Sequence, residues 1–75
     1  MTDKQLTTAR ENIAGFLKDC RINANLTQVK LAELSGIDKD TISRIERAKY
    51  WPVLRQIVLI LTACGVDYRN VFKVK

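Results

Sequence analysis

The stretch LTQVKLAELSGIDKDTISRIE, Leu26 to Glu46, sets two short helix-like segments on either side of one glycine, Gly36. Each falls below the roughly 12 residues that an isolated helix needs to persist in water, so packing has to stabilise both. Thr27 is placed to cap a helix from Gln28 to about Leu34, with Val29, Leu31 and Ala32 at its apolar positions. Asp38 is a strong cap for another, from Lys39 to about Arg47, whose buried face is marked by Ile42 and Ile45.

The spacing across the glycine is specific. Counted from Gln28, Ala32 is fifth, Gly36 ninth, Ile42 fifteenth and Ile45 eighteenth. A small fifth residue lets the second helix pack close across the first. Glycine at the ninth takes a left-handed turn without the penalty that a Cβ would bring. Apolar residues at the last two positions anchor the second helix and leave its other face to solvent. These are the steric demands of a helix-turn-helix.

Outward from this centre, Ile13, Leu17, Cys20 and Ala24 repeat at helical spacing and predict a first helix from about Thr7 to Asn23, closed by a left-handed Asn25. Gly15 inside it costs on the order of 1 kcal/mol relative to Ala, so this helix leans on its neighbours. Pro52 forces Trp51 into an extended conformation and opens the way to a fourth helix, about Leu54 to Cys64, ended by Gly65. Asp67 caps a last short one, Tyr68 to Phe72. No strand-like alternation occurs. The expectation is an all-α, compact five-helix domain over residues 1–75, with 1–6 loosely ordered and 73–75 a short tail.

Bulk properties narrow the function. Thirteen Lys and Arg against eight Asp and Glu leave a net charge of +5, which favours a polyanionic partner such as nucleic acid or simply a soluble basic surface. There is no histidine, and Cys20 and Cys64 stand far apart outside any CxxC pair, so no metal site and no cofactor are expected. Both cysteines read as reduced core residues. The longest apolar run, Ile57 to Leu61, is too short to span a membrane, and MTDKQLTTAR carries no apolar signal region. A cytoplasmic, nucleoid-associated protein is expected, without membrane contact or small-molecule ligand. With no paired carboxylates in a cleft and no glycine-rich phosphate loop, an enzyme is rejected and no catalytic residue is named.

From Ile13 to Phe72 the chain resembles the Cro/phage-repressor (xenobiotic-response-element) family of helix-turn-helix domains. LTQVKLAELSG (Leu26–Gly36), TISRIERAK (Thr41–Lys49), PVL (Pro52–Leu54) and ACGVDYRNVF (Ala63–Phe72) fall in family order and spacing. The resemblance implies a lambda-repressor-like bundle whose second and third helices form the helix-turn-helix. It further implies double-stranded DNA as partner, read by a homodimer on an inverted repeat. Lys39, Asp40, Ser43 and Arg44 would face base edges in the major groove, and Arg44 is the side chain best suited to bidentate recognition of guanine. Asp40 stands where Gln or Ser is common; it either accepts from a cytosine amine or repels wrong sequences. Gln28, Thr41, Arg47, Lys49 and Arg55 would hold phosphates. Arg21 and Glu46 match a structural salt bridge between the first and third helices.

The chain also departs from the family. Ala48 stands where glycine often follows the third helix, and Val53 replaces a capping Ser or Thr. Phe16, Val58 and Leu59 are apolar at positions more often polar. Val58 and Leu59, with Tyr68 and Phe72, are the candidate dimer surface, although Phe72 has an alternative place in the core. Trp51 reads either as a DNA-backbone contact or, the favoured reading, as a hydrophobic plug over the third and fourth helices. Stand-alone Cro proteins and restriction–modification controllers are the nearest kinds; an antitoxin or other protein-interaction module on the same fold is the alternative.

Overall fold

The computed structural model describes residues 1–73 and consists of five helices: α1 (Asp3–Asn23), α2 (Gln28–Ser35), α3 (Lys39–Glu46), α4 (Leu54–Ala63) and α5 (Tyr68–Phe72). No strand occurs among the described residues. Helix α1 lies across both α3 and α4, α2 packs on the same two, and α5 packs on α4. One core joins the first four: Leu17, Leu31, Ile37, Ile42, Ile45, Ile60 and Leu61 are all buried. Each such aliphatic side chain contributes roughly 1.5–3 kcal/mol when fully removed from water, which is how two helices of eight residues become stable.

The caps explain where the helices begin. Thr27 Oγ1 accepts from the Lys30 N–H at 3.0 Å, Asp38 Oδ2 from the Asp40 N–H at 3.0 Å, and Asp67 Oδ1 from the Arg69 N–H at 2.9 Å. Gly36 closes α2 at φ 75°, a conformation that favours glycine. Asn25 turns the chain after α1 at φ 59°.

Two local expectations need correction, the start of α1 and the place of Trp51. Helix α1 starts at Asp3, not near Thr7, so residues read as a loose N-terminus are mostly helical. Thr2 caps it, and a reciprocal bond from the Thr2 N–H to Gln5 Oε1 at 2.8 Å completes the capping box. Helix α3 ends close to Arg47, as read: Arg47 is its C-cap, and Ala48 takes φ 58°, so that the Lys49 N–H reaches the Arg44 carbonyl at 2.8 Å. Trp51 is no plug; it is 44% exposed, and Tyr50 packs on the core in its place. Phe72 does not enter the core either, being 41% exposed. Lys73 is the left-handed cap of α5, and the rest of the expected tail, residues 74–75, lies outside the described residues.

Val53 offers no side-chain acceptor at the start of α4, but Gln56 Oε1 takes up the Val53 N–H at 3.0 Å. Cys20 and Cys64 are free thiols packed beside the core, and burial pushes both above the usual thiol range. Such thiols are poor nucleophiles.

Candidate nucleic-acid interface

Helix α3 turns Ile42 and Ile45 inward, both essentially inaccessible. At 3.6 residues per turn the opposite arc carries Lys39, Asp40, Ser43, Arg44 and Arg47. Of these, Ser43 is half-buried and the other four are exposed. Thr41 is half-buried on the flank. The candidate base-reading residues therefore share one face, and the core on the other face fixes its direction.

What orients this helix is a polar network beneath it. Glu46, at the last turn of α3, has a side chain only 5% exposed, and that of Arg21 is 13% exposed. Arg21 Nε donates to Glu46 Oε2 at 2.7 Å and Nη2 donates to Oε1 at 3.0 Å, the two-pronged geometry in which guanidinium and carboxylate fit best. Arg21 Nη1 also donates to the Leu26 carbonyl at 2.8 Å, in the turn between α1 and α2. Gln28 Nε2 completes the set, donating to Glu46 Oε1 at 3.0 Å. One carboxylate thus ties α1 and the start of α2 to the end of α3. The hydrogen bonds to Glu46 hold the Arg21 guanidinium above its ordinary, already high, pKa, so the guanidinium stays charged through any working pH.

Gln28 was expected to clamp a phosphate, and its contact with Glu46 was not visible in the sequence. One amide hydrogen is committed to Glu46; the second, and the backbone N–H at the first turn of α2, have no partner among the described residues. Arg47 Nε bonds back to the Ser43 carbonyl at 3.3 Å, drawing that guanidinium along the helix. Lys39, Arg44, Lys49 and Arg55 make no ion pair among the described residues; the exposed pairs are Lys30–Glu33 and Arg69–Asp67, elsewhere on the molecule. From Lys39 to Arg55 five basic side chains are exposed, and Asp40 is the one exposed acid. Such a surface attracts polyanions over distances near the Debye length, roughly 8 Å at physiological salt.

The candidate dimer surface is only partly where the sequence put it. Tyr68 and Phe72 are exposed on α5 at 38% and 41%. Leu59 packs partly against the core, and Val58 is half-buried, so the middle of α4 is not the free apolar face expected. Val71, 37% exposed, was missed and joins Tyr68 and Phe72 on the same short helix. Five-residue α5 buries no residue fully, and three large apolar side chains on so small an element are more than scattered surface exposure.

Also unforeseen was the pairing of Arg10 with Trp51, the guanidinium carbon lying 5.8 Å from the ring centroid. The two residues are far apart in sequence and belong to no motif, so no local signal could have joined them.

Comparison with known proteins agrees with this geometry. The helix-turn-helix family matches residues 17–69. An uncharacterised helix-turn-helix transcriptional regulator of Methanocaldococcus jannaschii is 39% identical over 56 residues, covering 75% of this chain and 85% of that protein. No solved structure gives a significant match. With the helix pair, its glycine turn and the family match covering the same residues, the chain belongs to the Cro/phage-repressor type of helix-turn-helix family.

Proposed function

We propose that this protein is a sequence-specific, double-stranded DNA-binding transcriptional regulator that acts as a homodimer on an inverted repeat. The observation that carries the reading is the outward arc of α3: Lys39, Asp40, Ser43 and Arg44 on one face, directed by a buried ion pair and flanked by unpaired cations. The N-terminal end of α3 enters the major groove, where Arg44 donates to guanine O6 and N7 and Lys39 reaches a neighbouring base. Gln28, Thr41, Arg47, Lys49 and Arg55 hold phosphates, which sets register and supplies most of the salt-dependent affinity. The similarity to a helix-turn-helix transcriptional regulator of Methanocaldococcus jannaschii supports the same class.

The dimer reading rests on α5. One domain of this size makes few base contacts, and a two-fold pair joined through Tyr68, Val71 and Phe72, with Val58 at the edge, would read two half-sites about 10 base pairs apart. Selection of bound sequences from a random duplex pool tests the whole proposal. An enriched inverted repeat is expected. No enrichment at moderate salt would overturn it and favour a protein partner, as in the antitoxin-like alternative.

A further inference from the structure

The segment between α3 and α4 carries one of the proposed phosphate contacts, Lys49 near its start, and leads into another, Arg55 in the first turn of α4, yet little backbone bonding holds it. After the Lys49 N–H, the next backbone-to-backbone bond is the Ile57 N–H to the Val53 carbonyl, within the first turn of α4. Neither the Tyr50 nor the Trp51 N–H is bonded among the described residues, and Pro52 has none to give. Tyr50 is pinned by its packing on the core, but Trp51, with 44% of its surface open, is not.

Arg10 is the side chain that reaches Trp51. Residues 1–8 of the N-terminal stretch are all exposed, and Ala9 and Arg10 are the first half-buried residues of α1. Arg10 lies over the indole of Trp51. Its Nε is buried without a hydrogen-bond acceptor, and no carboxylate pairs with it among the described residues. A half-buried guanidinium without an acidic partner is unfavourable unless something else favours the charge there; the electron-rich ring face does so.

We propose that Arg10 is a positioning residue for DNA binding, clamping Trp51 so that the 48–53 segment presents Lys49, and the first turn of α4 that follows it presents Arg55, to the phosphate backbone. This rests on the DNA-binding reading above. Because the clamp acts through phosphate contacts, its loss weakens all duplexes alike and leaves sequence preference untouched.

Trp51 is the one tryptophan of the chain, so its emission reports the clamp directly. The test compares full-length wild type, Arg10→Met, Arg10→Lys and Lys4→Met, the last removing one exposed charge from the same helix. Affinities for a selected duplex and an unrelated one are measured beside Trp51 emission and thermal melts. Arg10→Met is expected to shift the emission to the red and to weaken both duplexes by about two- to fivefold more than Lys4→Met, the range for an exposed cation–π contact. Arg10→Lys should restore most of both signals. In a Trp51→Leu background, Arg10→Met should lose no more affinity than Lys4→Met does, which keeps the test valid if Arg10→Met alone is poorly folded. Unchanged emission, or equal effects of Arg10→Met and Lys4→Met, overturns the inference alone. A wild type that binds no duplex overturns the DNA reading and this inference with it.

Discussion

Two regions of the helical bundle are held in contrasting ways. At the α2–α3 corner, one carboxylate receives three hydrogen bonds from two other segments, within a few residues of the most buried isoleucines of the core. At the α5 end, the ion pair is Asp67–Arg69 on the surface, no residue is fully buried, and three large apolar side chains face outward. On the proposed reading the corner presents side chains to a rigid duplex, which favours an orientation fixed before binding. On the proposed reading the α5 helix has no such duty, and its apolar surface is the one that a second copy would cover.

The largest effect that would separate these regions comes from Glu46→Ala. It leaves Arg21 without its partner and is expected to destabilise the fold by about 3–5 kcal/mol, the usual cost of stripping one member of a buried pair. Urea unfolding beside wild type measures it, and a loss below 1 kcal/mol, the range of surface pairs, would show that the corner is no more fixed than the α5 end. At that other end, Val71→Lys is expected to leave helicity and thermal stability nearly unchanged while producing a monomer. Operator affinity should then fall at least about tenfold, near 1.4 kcal/mol. Sedimentation decides it, and a variant still dimeric removes α5 from the interface.

A smaller effect sharpens the picture of the corner. Ala48 sits at φ 58°, where an alanine Cβ is crowded. Ala48→Gly should stabilise the domain by about 0.5–1 kcal/mol, the left-handed penalty less the entropy that glycine loses on folding. Thermal melts would show it, and destabilisation would mean that the turn prefers the side chain. The smallest effect lies in the pH response of α5. Hydrogen bonds from the Arg69 side chain and backbone hold the Asp67 carboxyl below its ordinary range. A lowered folded-state pKa contributes stability that is present above the unfolded value and lost as pH falls through the folded one. The last helix should therefore fray below about pH 4, the ordinary Asp range, before the rest of the bundle does. Amide exchange of residues 68–72 against pH would follow it, and fraying already at neutral pH would contradict the cap.

What could be read from the sequence was whatever is encoded locally or by fixed spacing. Gly36, Thr27, Asp38 and Asp67 act through neighbours within three residues, so the turn and three helix starts were legible. Thr2 and Gln5 carry the same kind of signal, a Thr-x-x-Gln capping box, and the true start of α1 could have been read from it. Ala32, Ile42 and Ile45 follow from the geometry of two crossing helices. Arg21 and Glu46, far apart in the chain, were joined by resemblance to the family rather than by anything local. No such template existed for Arg10 with Trp51 or for Gln28 with Glu46, because these contacts arise only once segments distant in sequence have packed. Leu59 was misplaced for a related reason. On a helix as apolar as α4, with Ile57, Val58, Leu59, Ile60 and Leu61 in sequence, periodicity does not say which residues face out.

The central claim is that the exposed arc of α3 reads base edges while its flanks grip phosphates. It is tested most directly by equilibrium titration of wild type, Arg44→Ala and Arg47→Ala against a selected duplex and its single-base-pair variants at several salt concentrations. Arg44→Ala should lose about 1–3 kcal/mol of discrimination at one base pair in each half-site. Arg47→Ala should weaken every duplex about equally and flatten the salt dependence. An Arg44→Ala protein that keeps full specificity would contradict the account.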